Sequence, residues 1–175
     1  MAALVVLTGP IGSGKSTVAA ELADRCVARG LTVAVADLDD VAMAQRGVTD
    51  LGDLWPRGGV AHAALVDGWF AAGSDVVIAH GPFAEADSYP ALLAERPDRT
   101  AMHVVLTVPA DVALQRVAAD CGRPAAAISR DPDFLRATHA AFADLDLPSA
   151  DVTVDTTTAT TAQIADQLVA LLTGP

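Results

Sequence analysis

Short apolar runs and longer amphipathic segments alternate along the whole chain. Valine-rich runs at residues 3–8, 32–37, 75–80, 102–108 and 151–155 predict five β-strands. Alanine-rich segments with helical spacing separate them. Apolar strands that alternate with helices are typical of βαβ units, whose parallel sheet is covered on both faces. The pattern therefore predicts an α/β fold with three layers, α/β/α, around a five-stranded parallel sheet.

Seven helices are predicted between and after these strands. They cover residues 15–29, 40–45, 60–72, 84–95, 110–119, 132–144 and 161–172. Residues 47–59, which include Trp55, Pro56 and Arg57, are predicted to form a long loop that faces a substrate. Residues 120–132 form a second irregular segment. Neither a repeat nor a linker divides the chain, so we predict one domain over residues 1–175.

The first predicted strand ends in a glycine-rich turn that leads directly into a helix. Residues 9–16, GPIGSGKS, match G-x-x-x-x-G-K-[ST], the phosphate-binding P-loop. Backbone N–H groups of such a turn point into one concavity, and the positive end of the next helix adds to this anion site. The predicted nucleotide-binding residues here are Gly9, Pro10, Ile11, Gly12, Ser13, Gly14, Lys15, Ser16 and Thr17.

Lys15 is the only lysine of the chain, and the ten other basic residues are arginines. Its compact ammonium group fits between the β- and γ-phosphates of a nucleotide, whereas a guanidinium is a planar fork. We therefore infer that a lysine is chemically required here and that it contacts the transferred phosphate of ATP. The Ser16 hydroxyl is predicted to bind Mg²⁺.

Composition limits the partners of the chain. A net charge of −11 argues against general affinity for nucleic acid or anionic membranes, and no apolar run is long enough to span a bilayer. Cys26 and Cys121 have no metal-binding or redox spacing, so we expect free thiols in a reducing compartment. The expected location is the cytoplasm, and the expected partners are a nucleotide and a small-molecule substrate. The sequence leaves the oligomeric state open.

The second predicted strand ends in three carboxylates, Asp37, Asp39 and Asp40. Ligands of open α/β sheets bind beyond the carboxyl ends of the strands. Transfer of a phosphoryl group to a hydroxyl uses a carboxylate that accepts the proton, together with Mg²⁺. We predict Asp39 as this base and as a substrate contact, and Asp37 as the holder of a magnesium-bound water. The sequence leaves the choice of base among the three open, and the alternative is that Asp39 or Asp40 only caps the next helix.

The P-loop, the Asp37-Leu38-Asp39 motif and the order of elements together resemble the small P-loop kinases, which include shikimate kinase, gluconate kinase, adenylylsulfate kinase and chloramphenicol phosphotransferase. The resemblance implies that the acidic motif binds or activates the substrate hydroxyl. Many members have an aspartate at the end of strand three, where this chain has Ala79 and His80. His80 is either a substrate contact and base or a part of the cleft wall, and Gly81 is expected to lie against the ligand.

The same resemblance assigns roles to residues later in the chain. These kinases carry a lid where residues 120–132 lie, and cationic side chains there stabilise the transferring phosphoryl group. The candidates for this catalytic role are Arg116, Arg123 and Arg130. An arginine near Arg116 often stacks on adenine in the family, and Thr156 and Thr157 resemble the loop that borders the base.

Two functions of different classes follow. The first is an ATP- and Mg²⁺-dependent phosphotransferase that acts on a hydroxyl of a small metabolite or antibiotic, with Trp55 and Arg57 in the acceptor pocket. The alternative is an ATP-binding switch or assembly module that hydrolyses ATP slowly and has no small-molecule acceptor. A GTP-specific module would need an N-K-x-D segment, which a chain with one lysine lacks. The spacing of His62, His103 and His139 matches no metal site, and we assign them no function.

Overall fold

The computed structural model describes residues 2–83, 92–122, 124 and 127–174. It contains five strands, β1 (Ala2–Thr8), β2 (Val33–Asp37), β3 (Val76–His80), β4 (Arg99–Thr107) and β5 (Val152–Asp155). They form one sheet in the order β2-β3-β1-β4-β5, and every neighbouring pair is parallel. The predicted five-stranded parallel sheet is confirmed.

Helices cover both faces of this sheet. They are α1 (Lys15–Val27), α2 (Leu38–Met43), α3 (Leu51–Ala71), α4 (Ala110–Ala119), α5 (Pro132–Ala143) and α6 (Thr161–Leu172). Successive side chains of a strand point to opposite faces. Val5 and Leu7 of β1 accordingly pack with α1 and α6, whereas Leu4 and Val6 pack on the side of α3. The predicted three layers are therefore present.

The loop predicted for residues 47–59 is wrong, because α3 begins at Leu51 and runs through Pro56 to Ala71. Asp50 caps this helix, and its carboxylate accepts a hydrogen bond of 2.8 Å from the N–H of Gly52. A Cβ atom on Gly58 would lie 2.7 Å from that of Ala42, so glycine permits close contact between α2 and α3. Proline and glycine disfavour a helix in isolation, but the packing of α3 on the sheet and on α2 outweighs this preference.

Two predicted segments are only partly described by the structure. The helix predicted for residues 84–95 falls mostly on residues 84–91, which lie outside the described residues. Within residues 120–132, a 3₁₀ turn (Ile128–Arg130) precedes α5, and Arg123 lies outside the described residues. Cys26 and Cys121 are both free thiols. In the part of the chain that the structure describes, no helix combines the length and apolar character needed to cross a membrane.

The parallel sheet brings the carboxyl ends of all five strands to one edge. The end of β1 continues into the P-loop, and α1 starts directly behind it at Lys15. Asp37 at the end of β2 is in register with His80 at the end of β3, and Thr107 is in register with Asp155. The predicted site residues Lys15, Asp37 and His80 therefore lie at this edge of the sheet or directly after it.

Candidate functional site

The P-loop wraps the end of β1 against β4. Gly9, Gly12 and Gly14 all have positive φ values, and Gly14 directly precedes α1. The N–H of Ser13 donates a hydrogen bond of 3.2 Å to the carbonyl of Pro10 and closes the turn. A Cβ atom on Gly9 would collide with the carbonyl oxygen of Leu106. This backbone shape is the one that the glycine spacing predicts.

One cavity joins the P-loop to the end of β2. The Lys15 ammonium group donates hydrogen bonds to the carbonyls of Gly9, at 2.8 Å, and Pro10, at 3.1 Å. Beside these groups lies a cavity of about 420 Å³. Its lining includes the predicted phosphate-binding residues and the predicted base, and comprises Ile11, Gly12, Gly14, Lys15, Ser16, Thr17, Asp39, Arg116, Val117 and Asp120.

Asp37 and Asp39 have different structural roles, because β2 ends at Asp37 and α2 starts at the next residue. Asp37 is the N-cap of α2, and its Oδ1 accepts a hydrogen bond of 2.8 Å from the N–H of Asp39. Asp39 belongs to the first helical turn and lines the cavity with Lys15. The capping role thus falls to Asp37, and Asp39 is the carboxylate that faces the P-loop.

Both carboxylates bind protons more tightly than an ordinary aspartate. Burial raises the pKa of Asp37, and the hydrogen bond from the N–H of Asp39 opposes this effect. Desolvation also raises the pKa of Asp39, followed by repulsion from Asp37, while the charge of Lys15 lowers it. A carboxylate with a raised pKa is a stronger base toward a hydroxyl proton. This environment suits Asp39 for the role predicted for it.

His80 is a buried neutral imidazole beside Asp37. Only 4% of the residue is exposed, and its Nδ1 lies 3.6 Å from Oδ2 of Asp37. Burial and the nearby charge of Lys15 lower the pKa of His80 to about 4. The ring therefore remains uncharged near neutral pH, and its contact with Asp37 is longer than a hydrogen bond. His80 forms part of the wall behind the two carboxylates.

The sequence reasoning missed His62, which supports the end of β2 from α3. Its ring is fully buried, packs edge-on against Phe83 at 5.4 Å, and places Nε2 3.0 Å from the carbonyl of Ala36. Burial lowers the pKa of His62, so the neutral ring donates its Nε2–H to this carbonyl. The hydrogen bond fixes the residue that precedes Asp37. His62 and Val66 lie one turn apart, also in the helix predicted for residues 60–72, and this spacing was the signal that could have placed His62 on the buried side.

Arg116 joins the P-loop to the loop that follows β5. One guanidinium nitrogen donates to the carbonyl of Gly12 at 3.2 Å and to the hydroxyl of Thr156 at 2.8 Å, and the other donates to the Thr156 carbonyl at 2.8 Å. The predicted residues Arg116 and Thr156 therefore meet at the cavity. Thr157 instead closes a turn, because its N–H and hydroxyl both donate to the Asp155 carboxylate.

Arg130 and His139 hold two different segments in place, the end of α4 and the P-loop. The guanidinium of Arg130 donates to the carbonyls of Val117, at 3.0 Å, and Asp120, at 2.5 Å, near the end of α4. It does not line the cavity that contains Lys15. Nε2 of His139 on α5 lies 2.8 Å from the carbonyl of Ile11, a contact that no local pattern predicts. These side chains anchor the segment around residues 120–132 and the crest of the P-loop.

The predicted acceptor residues are spread over three places. Trp55 is half-buried and packs on the core beneath α3, and Arg57 is exposed on the same helix. Neither lines the cavity that contains Lys15 and Asp39. Gly81 has a φ of 149°, and a Cβ atom there would lie 2.5 Å from that of Leu38. Its small size therefore serves the contact between β3 and α2, next to Asp37.

Oxygen donors for Mg²⁺ are present beside the P-loop. Mg²⁺ in phosphate-transfer sites is held by one or two protein oxygens, phosphate oxygens and water. Ser16 and Asp39 line the cavity, and Asp37 lies directly behind it. Within the described ranges, no three His, Cys, Asp or Glu residues form a metal-binding cluster. This donor set fits a magnesium ion that is bound together with nucleotide phosphates.

Comparison with known proteins adds three findings. A family model described as "Chromatin associated protein KTI12" matches residues 1–52, which contain the P-loop and the Asp37-Leu38-Asp39 motif. Comparison with curated proteins gave no significant match. Many solved structures share the fold of this chain.

Shikimate kinase from Acinetobacter baumannii, solved in complex with shikimate, is 22% identical with a TM-score of 0.63, and the match covers 98% of this chain and 93% of that one. A sugar kinase from Janibacter sp. HTCC2649 is 23% identical, with a TM-score of 0.64 and coverage of 98% and 95%. The tunicamycin resistance protein of Deinococcus radiodurans is 17% identical, with a TM-score of 0.65 and coverage of 99% and 96%. The chain therefore has the fold of the small P-loop kinases, as the P-loop and the order of elements predicted.

Proposed function

We propose that the protein is an ATP-dependent phosphotransferase that transfers the γ-phosphate of ATP to a hydroxyl of a small molecule. The observation that carries this proposal is that Lys15 and Asp39 line the same cavity. A phosphate group beside Lys15 then lies next to a carboxylate with a raised pKa. Two free thiols and the acidic surface agree with a cytoplasmic enzyme.

The proposed reaction is a direct in-line transfer. The bond between the γ-phosphorus and the oxygen that bridges it to the β-phosphate breaks, and a bond to the acceptor oxygen forms. Asp39 accepts the hydroxyl proton, and ADP leaves. Lys15 stabilises charge on the phosphates, and Ser16 would hold a Mg²⁺ ion, which would supply further positive charge to the phosphate groups. Arg116 holds the carbonyl of Gly12 and thereby the shape of the phosphate cradle.

The kinds of solved structure that share the fold support a small hydroxylated acceptor. They include a shikimate kinase with shikimate bound and a sugar kinase, and both of those substrates carry hydroxyl groups. The tunicamycin resistance protein keeps an antibiotic among the candidates.

The test is a panel of sugars, hydroxylated carboxylic acids and antibiotics, assayed by ADP release and by mass spectrometry of the phosphorylated product. We expect at least one acceptor to stimulate ADP release. Lys15→Ala should lower kcat/KM by about 10³-fold or more, and Asp39→Asn by about 10²- to 10⁴-fold. Asp24→Asn, on the exposed side of α1, is the matched control and should retain the wild-type rate. Wild-type activity in both site variants would overturn the proposal.

The match to the KTI12 family model supports a second candidate, an ATP-binding switch without a small-molecule acceptor. This match ends at residue 52, so it covers the nucleotide side of the cavity and Asp39 but only the first two residues of α3. The switch predicts slow ADP release that no acceptor stimulates. The same assay therefore separates the two candidates.

A further inference from the structure

The outer side of α3 is an uninterrupted apolar surface. We define the outer α3 face as the exposed residues that follow Arg57 with helical spacing, namely Val60, Ala61, Ala64, Leu65, Gly68 and Trp69. Val60 is 69% exposed, Trp69 is 41% exposed and Leu65 is 38% exposed. A contiguous apolar patch that contains large side chains is unusual on an acidic monomer and marks an interaction surface. None of these residues lines the cavity with Lys15.

The arrangement of sizes on this face favours another helix as the partner. Ala61, Ala64 and Gly68 follow one another at spacings of three and four residues, so they form one line along the helix. Val60 lies on one side of this line, and Leu65 and Trp69 lie on the other. Small residues along the centre let two helix backbones approach closely, while the larger flanking side chains cover the sides of the contact.

The charges on α3 favour a second copy in antiparallel orientation. Arg57 lies on the same line near the start of the helix and has no ion pair among the residues that the structure describes. The last carbonyl groups lie at the other end, which is the negative end of the helix dipole. Antiparallel pairing brings each Arg57 toward the negative end of the other α3. Parallel pairing would place the two arginines against each other.

The face also avoids the repulsion that two copies with a charge of −11 each would otherwise experience. The defined face contains no carboxylate. Asp67 lies at its edge and is paired with Arg99 at 2.6 Å and with Arg96 at 3.1 Å. Two copies therefore meet here without burying like charges.

We propose that the protein forms a homodimer in which the outer α3 faces of two copies pack against each other in antiparallel orientation. The helix has 21 residues and is about 32 Å long, so the pairing extends over several turns. The proposal is independent of the reaction assigned to the cavity, because the dimer face and the site share no residue.

Sedimentation velocity of the full chain tests the dimer. We expect wild-type protein at micromolar concentration to sediment with twice the 17.8 kDa mass of the chain. Ala64→Arg places a charge on the centre of the face of each copy and should shift the species to the monomer. Leu171→Arg is the matched control, because Leu171 is an exposed apolar residue (54%) of α6, and it should leave the dimer intact. A monomeric wild type, or an Ala64→Arg variant that remains dimeric, would overturn the proposal.

Cysteine cross-linking tests the orientation without relying on a disruptive variant. The background is Cys121→Ser, which leaves only the buried Cys26. Ala64→Cys lies near the centre of the face and should form an intermolecular disulfide under mild oxidation. Asp53→Cys lies about 16 Å from it along α3, so antiparallel pairing separates its two copies by on the order of 30 Å. Cross-linking through both positions would contradict antiparallel pairing, and cross-linking through neither would contradict the interface.

Discussion

The P-loop, here the nucleotide half of the site, and the ends of β2 and β3 beside it with Asp37, Asp39, His80 and Gly81, here the proposed acceptor half, are built by different means. In the nucleotide half, the P-loop is held by hydrogen bonds to its own backbone from Lys15, Arg116 and His139. In the acceptor half, Asp37 and Asp39 are ionisable groups whose pKa values are raised by burial. One half is a shaped backbone, and the other half is a set of partly desolvated side chains.

This difference predicts how each half responds to change. A backbone cradle fails when its geometry is disturbed and should be insensitive to pH. Desolvated carboxylates beside a neutral histidine do not shape the phosphate cradle, and their protonation depends on every nearby charge. A substitution that changes only shape should therefore abolish nucleotide binding when it lies in the nucleotide half and not when it lies in the acceptor half. A substitution that changes only charge should alter the pH dependence of the acceptor half and leave the nucleotide half unchanged.

The sharpest separation is expected from one substitution in each half, Gly9→Ala and Gly81→Ala. Both glycines have positive φ values, and both sites lack room for a methyl group. The methyl group of Gly9→Ala meets the carbonyl of Leu106, which belongs to a buried strand, so nucleotide binding should be lost together with about 3 kcal/mol or more of stability. Gly81→Ala meets the side chain of Leu38 instead. It should lower phosphotransfer at least tenfold and leave nucleotide affinity within threefold.

Nucleotide affinity by calorimetry and the free energy of unfolding from urea titration measure both effects. Gly30→Ala is the control, because it has a φ of 79° and no atom within 4 Å of the added Cβ. It should cost about 1 kcal/mol from backbone strain alone and leave binding intact. If Gly81→Ala abolished nucleotide binding as Gly9→Ala does, the two halves would not be independent.

The second prediction is that His80, in the acceptor half, makes the free energy of unfolding depend on pH. Its pKa of about 4 in the folded protein lies below the ordinary value of 6.5, so the unfolded chain binds the proton more tightly. Stability should therefore fall as pH decreases from about 7 to 4, by up to about 3 kcal/mol from this group. The pKa values of His62 and His103 are also lowered by burial and act in the same direction. His80→Gln should make the decline shallower.

Urea unfolding at a series of pH values measures this decline. Val117→Ala is the control, because it removes buried apolar volume without changing a titratable group, and its stability curve should run parallel to that of the wild type. The raised pKa values of Asp37 and Asp39 act in the opposite sense, because they reduce stability as pH rises above the ordinary pKa of an aspartate. A His80→Gln curve parallel to that of the wild type would contradict the assignment.

The sequence predicted the nucleotide half better than the acceptor half, and the two means of construction explain why. The P-loop depends on glycines at fixed spacing and on a strand followed by a helix, and both are local patterns. The contacts that the sequence did not predict are not local. Even in the nucleotide half, the hydrogen bond between His139 and Ile11 joins residues that are 128 positions apart, and only the fold brings them together. The same is true of the hydrogen bond from His62 to Ala36.

The acceptor half was also harder to predict because packing overrides local preference there. Pro56 and Gly58 are residues that end helices in isolated peptides, yet α3 continues through both because Gly58 contacts α2. The sequence predicted the acidic end of β2 as a place for chemistry, and Asp39 does line the cavity with Lys15. It assigned the alternative capping role to Asp39 or Asp40, which is wrong, because β2 ends at Asp37 and this residue caps α2.

The third prediction tests whether Arg116 acts through the backbone of the nucleotide half. Arg116→Ala removes one hydrogen bond to Gly12 and two to Thr156, so we expect nucleotide affinity to fall by about 10- to 100-fold. Arg116→Lys retains the charge but cannot bridge both partners, and it should lose most of the same affinity. Arg136→Ala, at an exposed arginine on α5 with a 3.5 Å contact to Asp133, is the control. If Arg116→Lys kept the wild-type nucleotide affinity, the charge of Arg116 would be what matters, and not its hydrogen bonds to Gly12 and Thr156.

The smallest expected effect concerns Asp37 and Asp39, which lie two residues apart in the acceptor half. The charge of Asp37 raises the pKa of Asp39, so Asp37→Asn should lower that pKa and move the acid limb of the kcat/KM profile to lower pH. Asparagine caps a helix as well as aspartate does, so α2 should remain in place. Asp40→Asn removes a charge with a smaller influence on Asp39 and should shift the limb less, in the same direction. An acid limb that stays fixed or moves to higher pH in Asp37→Asn would show that Asp39 is not the group that titrates, and that the chemistry of the acceptor half depends on another residue.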